Sequence, residues 1–454
     1  MPNTQAPLRE RFLHEVKQLL QLGLPLIIGA MATTAMSITD TLMAGQAGAN
    51  ELAGLAVGAG LWSAANVLML GLAGAVAPIV GQMFGAKEKH KIAPEVHQAM
   101  WIALFIGLLV ALLAHQAPTL MAMSSMDPVL ADISGSYLSA LAVGAPALAI
   151  ASCLRSFCEA VGRTRVTMLV NLGAFLLNIL LDYLLVFGHW GLPKLGGVGA
   201  AWSSTLIYWL MLAAFLVYIK RDHFLSSFGV LKRFEWPTWT PIKHQLNLGL
   251  PISIGSTGEV LFFGIIALML APLGAVAVGG HQIAQSVAAL IFMLPFGQAQ
   301  AVSIRIAHNV GAGKLEYAGF VARSGLSLAM LISLCTAVLT ITFRHDIVAL
   351  YTDDPGVRET AAHLLLFCSA YQFCDALQVV AWGALRGYKD TKIPMCLMLF
   401  SYWCVGFPLG HSIALSETWG EAMGAQGFWT GIIVGLSVAT VLLGGRLRHF
   451  TTRI

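Results

Sequence analysis

The sequence predicts an all-α polytopic membrane protein with twelve spans in two pseudo-symmetric six-helix lobes. Three observations lead there: long apolar runs between short charged clusters, a lopsided distribution of Lys and Arg between alternate loops, and a repeat relating one half to the other. Charged residues make up 11% of the chain and hydrophobic residues 57%, against about 25% charged in soluble domains. Mean hydropathy is +0.76. About 20 apolar residues cross a bilayer as helix. A barrel would need short alternating strands, whereas these runs are long and continuous.

The spans read as 19–45, 52–83, 99–121, 134–160, 166–187 and 197–219, then 246–270, 277–308, 319–343, 359–386, 393–413 and 424–445. Placing the N-terminus inside puts 23 of the Lys and Arg on the inner side and 3 (Lys194, Arg344 and Arg358) outside. The inner set includes Arg233 and Arg453, with Arg155, Arg305 and Arg323 at helix ends. That asymmetry predicts both termini in the cytoplasm. The N-terminal stretch reads as carrying no cleavable signal, because charges run to Lys17 with no small-residue site after them.

Leu22-Gly23-Leu24-Pro25 recurs as Leu248-Gly249-Leu250-Pro251, an offset of 226, and Gly85-Ala86 recurs as Gly311-Ala312 at the same offset. Gly197 to Trp202 parallels Gly424 to Trp429. Six spans per half is even, so both halves insert with the same polarity, a parallel repeat. The domains are therefore 1–219, a connector at 220–245, and 246–454. Trp236-Pro237-Thr238-Trp239 in the connector reads as an interfacial anchor. Pro25 and Pro251, at equivalent places, predict a kink or hinge in spans 1 and 7. All seven cysteines fall in apolar runs without a CxxC pair and read as small buried hydrophobes.

Ionisable side chains at bilayer depth are costly and mark function. Glu259 is the only charge between Lys243 and Arg305, with Phe263 one turn on. Asp375 is the only charge between Glu359 and Arg386, with Tyr371 one turn before. Two carboxylates brought together there would hold a proton or a small cation. Asp40 stands alone in the outer third of span 1, and Asn178 and Asp182 are one turn apart on span 5. Such oxygens could coordinate sodium, which makes Asp40, Asn178 and Asp182, or Glu259 and Asp375, candidate sites for it. Arg155 and Glu159 read as an intrahelical pair, and His281 as a satisfied histidine. There is no HExxH, and Gly313-Lys314 is followed by Leu315, so there is no P-loop. The chain is therefore not expected to be an enzyme, to use ATP or an organic cofactor, or to bind nucleic acid.

These residues resemble the multidrug and toxic compound extrusion (MATE) family of the NorM type, over about 15–448. The carrying segments are Thr39 to Gly45, Pro94-Glu95-Val96-His97-Gln98, Leu195 to Gly199, Ala301 to Arg305, Tyr371-Gln372 with Asp375, Leu385 to Asp390, and Gly427-Phe428-Trp429. The resemblance implies a two-lobe fold with a central cleft. It also implies antiport: cationic or zwitterionic lipophilic drugs leave in exchange for Na+ or H+. It implies that Asp40, Asn178 and Asp182 form an N-lobe cation or drug site. Glu259, Asp375, Tyr371 and Phe263 would then form a C-lobe coupling site. Asp353 and Asp354 would line the outer mouth, and span 6 would add a hydroxyl from Ser204 or Thr205. A monomer in a bacterial inner membrane is expected. The rival reading is a flippase for a lipid-linked envelope precursor. It is disfavoured because an anionic diphosphate wants a basic cleft, and the deep charges here are acids.

Overall fold

The computed structural model describes residues 7–123, 126–232, 234–416 and 422–452. Arg233 and Arg453 of the charge tally lie outside them. Twelve helices are long and apolar enough to cross a membrane. They are α1 Leu8–Ala47, α2 Ala49–Gly85, α3 Lys89–Ala122, α4 Pro128–Ala160, α5 Thr164–Phe187 and α6 Gly197–Arg221. The second six are α7 Trp239–Leu273, α8 Ala275–Gly311, α9 Leu315–Thr342, α10 Pro355–Gly387, α11 Lys392–Leu415 and α12 Ala425–Thr451. The twelve predicted spans are all present. Most are longer than predicted, because helix continues past the apolar run into charged flanks. α1 begins eleven residues early and carries Glu10 and Glu15 in helix.

Contacts divide the chain into two compact units. One is Ile28–Ser253; the other is Met1–Ile27 with Ile254–Ile454. These units are drawn differently from the halves at 1–219 and 246–454. The first part of α1 packs with the C-terminal spans, and the first part of α7 with the N-terminal ones. The boundaries, Ile28 and Ile254, are themselves 226 residues apart and each lies three residues past a repeated proline.

Specific contacts explain the exchange. Glu15 is fully buried and accepts two hydrogen bonds from Arg305, at 2.7 and 2.6 Å, and one from the Tyr317 hydroxyl at 2.7 Å. Arg11, one turn earlier, lies 4.9 Å over the Phe320 ring. A Cβ on Gly23 would meet Ala301 at 3.7 Å. In the other unit, Gln245 donates to the Glu95 carboxylate at 2.9 Å, and the Ser253 hydroxyl donates to the Leu68 carbonyl at 3.0 Å. A Cβ on Gly71 would collide with Ser253, its backbone included, so that close approach requires glycine.

Pro25 and Pro251 both lie inside helix and not at a helix entry, where a proline removes one backbone hydrogen bond. One sequence expectation, the burial of the cysteines, is corrected. Interruptions of the helical winding fall at other places. α2 breaks around Gly74, whose N–H bonds back to the Leu70 carbonyl at 2.9 Å. α11 winds as a π-helix over Phe400–Gly406. A single proline costs one helix hydrogen bond, which lipid-depth helices absorb when packed. The cysteines also divide: Cys153, Cys158 and Cys368 are buried, but Cys335, Cys396 and Cys404 are exposed. A thiol is at home against lipid as well as in a core, so an apolar run does not say which way it points.

The connector is pinned to the start of α3. His97 Nε2 bonds the Val230 carbonyl at 2.7 Å, and Gln98 bonds the Trp236 carbonyl and the Thr238 N–H. Trp236 and Trp239 remain exposed, as expected of anchors.

The Glu15–Arg305 pair generates a prediction. Removing one partner of a buried ion pair costs about 3–5 kcal/mol, while replacing both by apolar residues is often near neutral. Glu15→Leu should lower the melting temperature in detergent sharply, and Glu15→Leu with Arg305→Leu should recover at least half of the loss. No recovery in the double variant would refute a mainly electrostatic role.

Candidate functional site

Each unit holds its own buried acids. In the Ile28–Ser253 unit, Asp40 of α1 meets α5 and α6. Asn178 and Asp182 are one turn apart on α5 and so share a face. Both are fully buried. Asn178 Nδ2 donates to Asp40 Oδ1 at 2.8 Å, and the Ser204 hydroxyl donates to Asp40 Oδ2 at 3.2 Å. Thr205 instead donates to the Ala140 carbonyl at 2.8 Å. Of those two hydroxyls Ser204 is the one on Asp40, and the neighbouring Ser203 of α6 interacts with Asp182. Asp182 lies within electrostatic reach of Asp40. Both its oxygens, and Asn178 Oδ1, are buried without a hydrogen-bond partner among the described residues. Such orphaned acceptors call for a proton, a cation or water.

Asp40 also faces the other way. It lines a cavity of about 200 Å³ within the same unit. Trp62 and Tyr208, stacked with centroids 6.5 Å apart, give this cavity an aromatic wall. Met36, Asn66, Asn171 and Arg155 complete a mixed lining. Arg155 and Glu159 form the expected pair, at 3.5 Å.

In the other unit, Asp375 and Tyr371 of α10 are buried and Glu259 of α7 is half-buried. Glu259 and Asp375 lie within electrostatic reach of each other, and Tyr371 interacts with Asp375. Phe263 packs edge-on against Tyr371 with centroids 6.1 Å apart. All four predicted residues therefore come together. Two further aromatic residues join them. Tyr402, in the π-helical stretch of α11, stacks on Phe262 at 5.3 Å and interacts with Glu259. Trp429 packs edge-on against Tyr371 at 5.9 Å and donates its ring N–H to His281 Nδ1 at 3.2 Å. His281 is thus a satisfied histidine. A lone tyrosine or tryptophan in an apolar run carries no charge signal, so sequence offered no flag for these.

Asp353 and Asp354 have local structural jobs. Asp354 caps α10 by accepting from the Val357 N–H at 2.9 Å, and exposed Asp353 pairs with Arg358 at 2.6 Å.

Paired acids inside an all-helical, twelve-span body define a membrane transporter rather than a catalyst. The MatE family model matches the chain twice, over 25–184 and 251–411, and the chain belongs to that family. The multidrug resistance protein PmpM of Pseudomonas aeruginosa is 39% identical over 440 residues, covering 97% of this chain and 92% of that one. Among solved structures, the eukaryotic MATE transporter AtDTX14 superposes with a TM-score of 0.84 at 21% identity, covering 97% and 99% of the two chains. An outward-facing multidrug resistance MATE family transporter of the MOP superfamily gives 0.87 at 17% identity, covering 97% and 96%. These two structures share the fold with this multi-pass membrane protein.

The geometry separates two adjacent hydroxyls. Ser204→Ala should weaken transport, because it removes a hydrogen bond from Asp40. Thr205→Val should leave transport intact and cost about 1 kcal/mol of stability. Drug uptake into inverted vesicles and thermal melts of both variants check this; equal transport loss in the two would contradict the assignment.

Proposed function

We infer that this protein is a secondary multidrug efflux transporter that exports cationic or zwitterionic lipophilic compounds in exchange for inward Na+ or H+. It acts as a monomer in a bacterial inner membrane, with both termini in the cytoplasm. One observation supports the coupling above others. Asp40 is shared between a buried polar cluster and a cavity of about 200 Å³ with an aromatic wall.

The physics of exchange follows from that sharing. A carboxylate out of water needs a positive partner or a proton. When a cation or proton occupies the Asn178–Asp182 side, the negative charge near Asp40 is spent there and a cationic drug loses its counter-ion. When the coupling ion leaves, the charge again faces the cavity. The aromatic and methionine lining supplies apolar contact to the rest of the drug, and soft Met side chains adapt to varied shapes. Moving one positive charge outward against an inside-negative potential costs about 2.3 kcal/mol per 100 mV. Exchange for one inward cation cancels that term. The acids of the second unit, Glu259 and Asp375, offer a second place for the coupling ion.

The test is drug accumulation in cells stripped of native pumps. Expression of the wild type should lower intracellular ethidium and norfloxacin. Asp40→Asn should abolish the effect for both while the protein still reaches the membrane. Unchanged accumulation with well-expressed wild type would defeat the reading.

A further inference from the structure

We propose that Arg155 is a specificity-determining residue, an anion subsite at the inner end of the cavity that Asp40 also lines. It selects amphoteric compounds, those carrying a carboxylate as well as an ammonium. This rests on the efflux reading above and narrows its substrate class.

Asp40 and Arg155 are the two charged side chains among the residues lining this cavity of about 200 Å³. They stand at opposite ends of it. Asp40 accepts from Ser204 of α6, and the next residue, Thr205, donates to the Ala140 carbonyl of α4. Asp40 is therefore level with Ala140. Arg155 follows Ala140 by fifteen residues on α4, about 22 Å of helix at 1.5 Å per residue. Leu148, Ala151 and Ser152 line the interval. Helical side chains lean toward the N-terminus of their helix, so Arg155 leans toward Asp40.

Arg155 is not spent on its own helix. Glu159, one turn inward, meets Nε at 3.5 Å, and that nitrogen is buried with no hydrogen-bond partner among the described residues. The Arg155 side chain is 26% exposed and that of Glu159 9%. Of the two, it is Arg155 that lines the cavity. A close arginine–carboxylate pair would sit at about 2.7–2.9 Å. The guanidinium keeps donors to give, and its planar fork matches a carboxylate. Nearby polar groups compete poorly for an anion. Ser152 has given its hydrogen to the Leu148 carbonyl at 2.8 Å. Asn171 donates to the Gly29 carbonyl at 3.2 Å, and its own oxygen, an acceptor, is left over.

A cavity walled by apolar and aromatic groups screens little, so charges at its two ends act along its length. A monocation is attracted by Asp40 and repelled by Arg155. A zwitterion gains at both ends, with its ammonium turned to Asp40 and its carboxylate to Arg155. An arginine at membrane depth is costly and marks function. Here that function is to tell amphoteric compounds from purely cationic ones.

Equilibrium dialysis of purified full-length protein in detergent, in sodium-free buffer at neutral pH, tests this with norfloxacin and its ethyl ester. The ester keeps the ammonium and lacks the carboxylate. Arg155→Gln should weaken norfloxacin binding by roughly tenfold and tighten the ester by a smaller factor, about twofold. Changes of opposite sign for the two ligands do not arise from a general loss of structure. Arg155→Lys keeps the charge without the fork and should retain part of the discrimination. Glu159→Gln frees the guanidinium and should tighten norfloxacin relative to the ester; it carries the test should the arginine variants fail to fold. An unchanged ratio of the two affinities in every variant overturns the subsite and leaves the efflux reading standing. Failure of the wild type to bind either compound overturns both.

Discussion

The structure depends on one constraint: a carboxylate removed from water must be answered. In the N-terminal arm of α1, Glu15 is answered permanently by Arg305 and Tyr317, and the result is a fixed joint. Asp40 is answered by two neutral donors, an amide and a hydroxyl. Asp182 and Asp375 retain oxygens without a hydrogen-bond partner among the described residues. The first arrangement holds helices together. The other two leave room for something mobile to finish the job, which is what a carrier requires and a scaffold avoids.

Much of this was legible in the sequence because charge is conspicuous in an apolar run. Asp40, Asp182, Glu259 and Asp375 stood out as isolated acids, and helical spacing placed Asn178 and Tyr371 beside them. What stayed hidden was neutral or camouflaged. Tyr402 and Trp429 carry no charge to flag them, and only three-dimensional packing brings them against Glu259 and Tyr371. Glu15 was hidden for the opposite reason. It sits in a run of charges from Arg9 to Lys17 that reads as a solvated flank, yet it is the most deeply buried acid of that run. Ser204 and Thr205 are adjacent hydroxyls whose opposite directions follow from the rotation of α6.

The repeat explains the body and not the chemistry. The prolines, the glycine loops and the unit boundaries recur at one offset. The acids do not: Asp40 falls opposite Ile266 and Glu259 opposite Thr33. The two units accordingly present different surroundings to a cation. One pairs its acids with a roomy cavity and an aromatic wall. The other surrounds them with crowded rings. Two sites of unequal shape in one carrier allow drug handling and ion handling to be weighted differently between them.

The exchange of helix segments at Ile28 and Ile254 bears on ancestry. Each unit is completed by the opening stretch of a helix that begins in the other half of the chain. Before fusion, a single six-helix half would have had the same segment to give and the same groove to fill. Two copies trading that segment form a closed, swapped dimer, a low-cost route to association. Fusing the copies end to end would freeze the trade in place.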